Sequence, residues 1–284
     1  MGRLPAIQGG CCNGGLKNCE MKSIKLNESR NGNFTSSEIY ALTTNGVAKG
    51  SKGDPYYTYI EEKIAERRLE RSISNETTAK PLSWGKLNEQ TVMAKLGKEY
   101  RICSTQTMSH PTIPFWKGSP DCEKFKIVRK KAETDAACDI KCPMTLKSFC
   151  KLVDLWKLGG MDAIRKGFVL PSGRKIKKHP DGEKFYWQLV SNAILLGAFF
   201  AELIVYCPYE DELEKIRELA NQQDGRDIHQ YYWISMGLDG EMPYLKRGGY
   251  YTDINVMRFF IPNSDRELLT SRVLEAGKEL TEQN

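Results

Sequence analysis

The chain has 284 residues, 40% hydrophobic and 27% charged, which is the balance of an ordinary soluble protein with a real core. Its 42 Lys and Arg against 36 Asp and Glu leave a net charge of +6, a mild excess that suits a polyanionic partner. The most apolar stretch, Leu189–Tyr206, is interrupted by Ser191, Asn192 and Glu202, which argues against a membrane span. The start has no basic segment leading into an apolar run, so no secretory signal is expected. Residues 1–22 are rich in Gly and Cys and lack periodicity, and they read as a disordered lead-in to a single domain over 23–284. The nine cysteines form no CxxC pair and no disulfide framework. They read as reduced thiols of an intracellular protein rather than as a zinc or iron–sulfur site.

In chain order, Phe34-Thr35-Ser36-Ser37-Glu38 reads as a helix start, with Thr35 or Ser36 as cap. Residues 56–71 and 84–97 read as helices, the second with Trp84, Leu87, Val92 and Leu96 on its apolar side. Between 100 and 143 the pattern favours strands: Phe125 and Ile127 alternate with lysines, 130–136 reads as a hairpin turn, and Cys138–Cys142 alternates again until Pro143. A helix over 144–164 precedes a basic loop over 165–180, which has six Lys or Arg and no acid. A helix over 184–199, a strand over 202–207, an amphipathic helix over 209–222, a strand over 256–261 and a final helix from 264 to about 281 complete the chain. Strands grouped between helices indicate an α/β fold.

The segment that carries chemistry is Ser119-Pro120-Asp121, followed by Asp139-Ile140-Lys141. Side chains alternate along a strand, so Asp139 and Lys141 share a face and the Ile140 side chain points away. Two carboxylates on neighbouring strands, with the Ile140 carbonyl, form an oxygen donor set for Mg²⁺. Lys141 beside them can orient or deprotonate an attacking water and offset phosphate charge.

The surrounding blocks extend the pattern. They are Arg30 seven residues before Ser37, Trp84-Gly85-Lys86-Leu87-Asn88-Glu89, Asp139-Ile140-Lys141-Cys142-Pro143 with Phe149 beyond, Phe185-Tyr186-Trp187-Gln188, and Cys207-Pro208-Tyr209. In this order, from about residue 30 to 209, the chain resembles the lambda-type exonucleases (YqaJ-type viral and phage recombinases) of the PD-(D/E)xK nuclease superfamily. Three departures stand out. Asp139 occupies the place where that family usually has Glu, and it follows Asp121 by 18 positions, a longer connection than the family's tight hairpin. Phe185 also replaces the family's usual Tyr.

The resemblance implies a restriction-endonuclease-like core, a central mixed β-sheet flanked by helices. It implies Asp121, Asp139, the Ile140 carbonyl and Glu89 as ligands of Mg²⁺, with Mn²⁺ able to substitute. Lys141 would handle the water, Gln188 would position Lys141 or the water, and Arg30, Ser37 and Ser119 would bind a terminal 5′-phosphate. The expected activity is 5′→3′ digestion of double-stranded DNA ends, leaving 3′ single strands for recombination or repair. The expected partners are a single-strand annealing protein and further copies of the chain in a homo-oligomer, with no membrane. An endonuclease or flap-type nuclease on the same core, or a DNA-binding protein without catalysis, are the alternatives. Access to DNA puts the protein in the cytoplasm or nucleus.

Overall fold

The computed structural model describes residues 30–73, 79–103, 107–223 and 227–282; the expected disordered segment 1–22 lies outside them. In chain order the elements are β1 (Phe34–Thr35), α1 (Asp54–Leu69), α2 (Lys80–Lys95), β2 (Tyr100–Ile102), β3 (Met108–Ser109), β4 (Trp116–Gly118), β5 (Cys122–Val128) and β6 (Lys131–Lys141). There follow α3 (Leu146–Lys166), β7 (Phe168–Val169), β8 (Lys175–Ile176), α4 (Gly182–Leu196), β9 (Phe200–Tyr206), α5 (Leu213–Asn221), α6 (Asp227–Ser235), β10 (Ile254–Phe260) and α7 (Asn263–Glu282).

The central sheet has five strands in the order β10-β9-β6-β5-β2. It is mixed: β6 and β9 run parallel, and the other pairs are antiparallel. The parallel pair requires a long crossover, and α3, the β7–β8 hairpin and α4 supply it. Alternation along β6 divides the core in two. Ala136, Cys138 and Ile140 pack on one face with Trp84 and Leu87 of α2 and Ile216 of α5. Ala137 packs on the other with Phe149 and Leu152 of α3, Leu189 and Val190 of α4, and Val273 of α7. The molecule is thus an α/β fold with a restriction-endonuclease-like core, as the sequence led us to expect.

Local chemistry explains the element ends. Thr145 caps α3, its hydroxyl accepting from the Ser148 N–H at 3.3 Å. Gly197 ends α4 in the left-handed conformation. A break at Gly159–Gly160 kinks α3.

Three expectations are corrected. Phe34–Thr35 is a short strand parallel to β4, not a helix start, and a 3₁₀ turn at Ile39–Thr43 follows it with no side-chain cap. The hairpin turn is Arg129–Lys130 rather than 130–136, because β6 begins at Lys131. The basic loop 165–180 contains the paired strands β7 and β8. Helix α6 has no counterpart in the sequence reading.

Candidate active site

Asp121 lies just before β5, and Asp139 and Lys141 lie in the last turns of pleat in β6, so the hairpin brings them together. Asp139 is 1% exposed. Its Oδ2 meets the Lys141 ammonium at 2.6 Å and takes no hydrogen bond of good geometry. Its Oδ1 accepts from Gln188 Nε2 at 2.7 Å. The same amide turns its oxygen to Lys141, whose Nζ donates to Gln188 Oε1 at 3.4 Å. Gln188 sits on α4, and its two-ended amide fixes the carboxylate and the ammonium relative to each other.

Asp121 Oδ2 accepts from the Ile140 backbone N–H at 2.7 Å. The N–H and C=O of one strand residue point to the same edge, so the Ile140 carbonyl faces the gap that Asp121 fills. Glu89 approaches from α2 without a direct hydrogen bond to the group. It is close enough to feel Asp139 and Lys141, and Asp121 feels it in turn.

The electrostatics are those of too much negative charge in a dry place. Burial, then the Asp139 charge, pushes Glu89 up to about 7, with Lys141 and Lys86 pulling the other way. Burial and Asp139 also raise Asp121 well above the usual carboxylate range, against Lys141 and the Ile140 N–H. At Lys141 burial pulls downward, but Asp139 and Asp121 outweigh it, so its ammonium is held above its ordinary value.

Among the described residues, no group of three or more His, Cys, Asp or Glu side chains is placed to hold a metal ion. The donor set nevertheless fits a hard divalent cation. Asp121 and Asp139 each have one oxygen held by an N–H donor; the other Asp121 oxygen takes no hydrogen bond, and the buried Asp139 Oδ2 faces only the Lys141 ammonium. A cation there would relieve the mutual repulsion that raises Glu89 and Asp121.

The residues expected at a terminal phosphate divide. Arg30 Nη2 donates to Ser37 Oγ at 3.2 Å, and Thr35 Oγ1 lies 3.4 Å from the same hydroxyl. The Arg30 segment is tied to α1 through Gly32, whose N–H donates to Glu66 Oε2 at 2.9 Å and whose carbonyl accepts from Arg67 Nε at 2.7 Å. Gly32 has φ +63, and a side chain there would run into Arg67. Ser119 is not joined to this pair; its hydroxyl donates to Thr107 Oγ1 at 3.4 Å.

The sequence reading missed one contributor. The Phe185 ring lies 5.3 Å from the Lys141 ammonium, a cation–π contact. Phe185 stands three residues before Gln188, on the same helix face, and that spacing was the available signal. Trp84 is fully buried core, as expected.

No protein-family model and no curated protein matches the chain. Solved structures do. An alkaline exonuclease from Laribacter hongkongensis, LHK-Exo, matches with a TM-score of 0.51 and 15% identity over 90% of this chain and 92% of that one. The same enzyme in complex with dAMP matches at 0.51 and 16%, again over 90% and 92%. A phage-related exonuclease from Haemophilus somnus 129PT matches at 0.51 and 14%, over 87% and 93%. The chain shares the fold of these exonucleases. The likeness spans nearly the full length of both partners, so it includes the flanking helices as well as the sheet. Among the described residues, no helix is long and apolar enough to cross a membrane.

Proposed function

We propose that the chain is a divalent-cation-dependent deoxyribonuclease. It digests double-stranded DNA from 5′-phosphorylated ends in the 5′→3′ direction and leaves 3′ single strands for recombination or repair. The observation that carries this reading is the Asp121, Asp139, Lys141 and Gln188 cluster, locked by the contacts above at one end of the β5–β6 hairpin. A protein that only binds DNA has no use for a buried carboxylate pair beside an ammonium. The fold shared with exonucleases supports the same reading.

In this reading Asp121, Asp139 and the Ile140 carbonyl would hold Mg²⁺, or Mn²⁺ in its place, with Glu89 completing the set from α2, and the chemistry supplied there would be Lewis-acid stabilisation of charge on the scissile phosphate. Water oxygen bonds to phosphorus, the P–O3′ bond breaks, and the water proton passes to the departing 3′ oxygen. Lys141, held as an ammonium by Asp139, orients the water and offsets phosphate charge. Gln188 keeps both in place. Arg30 grips the terminal phosphate with its guanidinium, and Ser37 adds a hydroxyl donor.

Polyanion binding has support near the site. Of the six cations in the 165–180 segment, Arg165 pairs with Glu183 and Lys166 with Asp162. Arg174, Lys175, Lys177 and Lys178 are exposed and have no side-chain partner among the described residues. The root of their hairpin is fixed beside the site: His179 stacks on Phe185, the ring under Lys141.

The test is digestion of linear duplex with a 5′-phosphate or 5′-hydroxyl at a labelled end, in Mg²⁺ or EDTA, with a closed circle as control. Mg²⁺-dependent loss from the phosphorylated end with the circle intact is the expected result. Nicking of the circle would move the assignment to an endonuclease on the same core, and no cleavage of any substrate would overturn the catalytic reading.

A further inference from the structure

The β5–β6 hairpin extends well beyond the sheet that carries the site. Strand β2 pairs with β5 only as far as Lys124, and β9 pairs with β6 only from Ala136 onward. Beyond Phe125, whose N–H still bonds the Glu99 carbonyl at 2.9 Å, the two strands form a ribbon up to Asp135 that pairs with no other strand among the described residues. A register shift between Lys124 and Phe125 marks the point where the ribbon leaves the sheet, and such an irregularity bends a ribbon.

Charge is sorted along this ribbon, with the exposed Glu133, opposite Lys126, as its acid nearest the tip. Near its base, Lys124 pairs with Glu202 at 3.4 Å and Lys126 with Asp135 at 3.2 Å. At its tip, Arg129, Lys130 and Lys131 are exposed, and their side chains have no partner among the described residues. Ile127, on the adjacent stretch, is 66% exposed.

The turn is the second observation. Val128 faces Lys131, so Arg129-Lys130 forms a two-residue loop, and both residues have positive φ, +49 and +66. That is the type I′ geometry, which favours Asn-Gly and disfavours residues with long side chains. The chain carries two cations where the backbone selects against them, the kind of local conflict that marks a function.

We propose that the β5–β6 ribbon is a duplex-binding arm: its tip cations contact backbone phosphates and Ile127 enters the groove between them. The inference rests on the nuclease reading for its substrate. A two-stranded ribbon fits the major groove of B-form DNA, where an apolar side chain can contact the thymine methyl group. The reach follows from the strand. Eight residues separate Lys131 from Asp139, about 26 Å at ~3.3 Å per residue. Laid along the duplex axis, the arm would reach at most seven or eight base pairs, at about 3.4 Å each, from the scissile phosphate.

The test uses Arg129→Asn/Lys130→Gly, which removes two cations and installs the preferred turn, so the ribbon is expected to fold at least as well. Binding is measured in Ca²⁺ on duplexes of about six and about 20 base pairs. On the long duplex the double variant is expected to bind at least tenfold more weakly than wild type. The slope of log K against log salt should also become shallower by about two, close to 0.9 per lost phosphate contact. On the short duplex the two proteins should bind alike. Ile127→Thr should weaken long-duplex binding without changing the salt slope.

Equal affinity and slope at both lengths would overturn the proposal. Equal loss on a single strand of the same length would overturn the duplex assignment. A change in sedimentation without DNA, with duplex binding intact, would make the arm a contact between copies of the chain and would also overturn it. Cleavage of the long duplex by wild type in Mg²⁺ is scored separately. Its absence would count against the nuclease reading, whereas a length-dependent binding difference would still support the arm.

Discussion

Gln188 offers the sharpest test of the proposed active site, because one side chain holds two groups. Its Nε2 donates to Asp139 Oδ1 at 2.7 Å, and its Oε1 accepts from Lys141 at 3.4 Å. Gln188→Met keeps the length and bulk and deletes both bonds. Asp139 Oδ2 already lacks a well-formed hydrogen bond, so the variant leaves a buried carboxylate with only its ion pair to Lys141. A hydrogen bond to a charged group contributes about 1.5–3 kcal/mol. At 1.36 kcal/mol per factor of ten, losing it in the transition state slows cleavage by about 10- to 150-fold. The bare oxygen is also buried in the resting protein, so the melting temperature should fall by several degrees, at about 2–4 °C per kcal/mol for a chain of this size. Single-turnover cleavage of a 5′-phosphorylated duplex at saturating Mg²⁺ gives the rate, and thermal unfolding gives the stability. Gln188→Glu, which sets a further carboxylate against Asp139, should lose more activity than the Met variant. A Met variant cleaving within threefold of wild type would show that the amide does not position the site.

Lys141→Ala should abolish cleavage, by at least about 10²-fold, while duplex binding in Ca²⁺ stays close to wild type; normal turnover would refute its place in the chemistry. Arg30→Ala should slow digestion of 5′-phosphorylated ends much more than of 5′-hydroxyl ends, and an equal loss on both would remove it from end recognition. Glu123 makes a stability prediction away from the site. Burial pushes its carboxyl up, but hydrogen bonds from Thr134 at 2.6 Å and Arg101 at 2.8 Å outweigh burial and hold it below its ordinary value. A carboxylate depressed in the folded state stabilises above its unfolded pKa of about 4.3, and that contribution disappears as pH falls through the folded value. Wild type should therefore exceed Glu123→Gln in urea midpoint at pH 7, and the gap should shrink on acidification below about pH 4; a gap independent of pH would refute the assignment.

Much of this architecture was legible because strand alternation and helix spacing are local. Asp139 and Lys141 sit two apart on a strand, and no other register puts both on one face. Gln188 lay on a long apolar helix that the pattern identified directly. What escaped depends on distant partners. Phe34–Thr35, followed by Ser36, offers the Thr and Ser of a helix cap, yet it forms a strand because its neighbour is β4, some eighty residues away. The hairpin turn was misplaced because Arg129-Lys130 lacks the Gly or Asn that announces a type I′ turn. Helix α6 is nine residues long, too short for periodicity to separate it from a loop. The ion pairs of Arg258 with Asp135 and Glu202 join strands far apart in sequence, and composition carries no trace of them.

Helix α4 explains how the two halves of the proposed site keep a fixed separation. One face of it presents Gln188, Ser191 and Asn192, spaced three and four residues apart. Gln188 holds the Asp139–Lys141 end of β6. Ser191 Oγ accepts from Trp116 Nε1 at 2.8 Å and lies 2.8 Å from Ser36 Oγ, so the next turn holds β4 and the residue beside Ser37. Gly118 packs against this face so closely that a side chain there would meet Ser36, Leu195 and Asn192. A single rigid helix thus spans the carboxylates and the Arg30–Ser37 pair. An enzyme that removes one nucleotide at a time from an end needs the grip on that end and the cleaving groups at a constant distance. With Arg30 and Ser37 on the terminal phosphate as proposed, the bond network across α4 would set the distance from that grip to the cleaving groups.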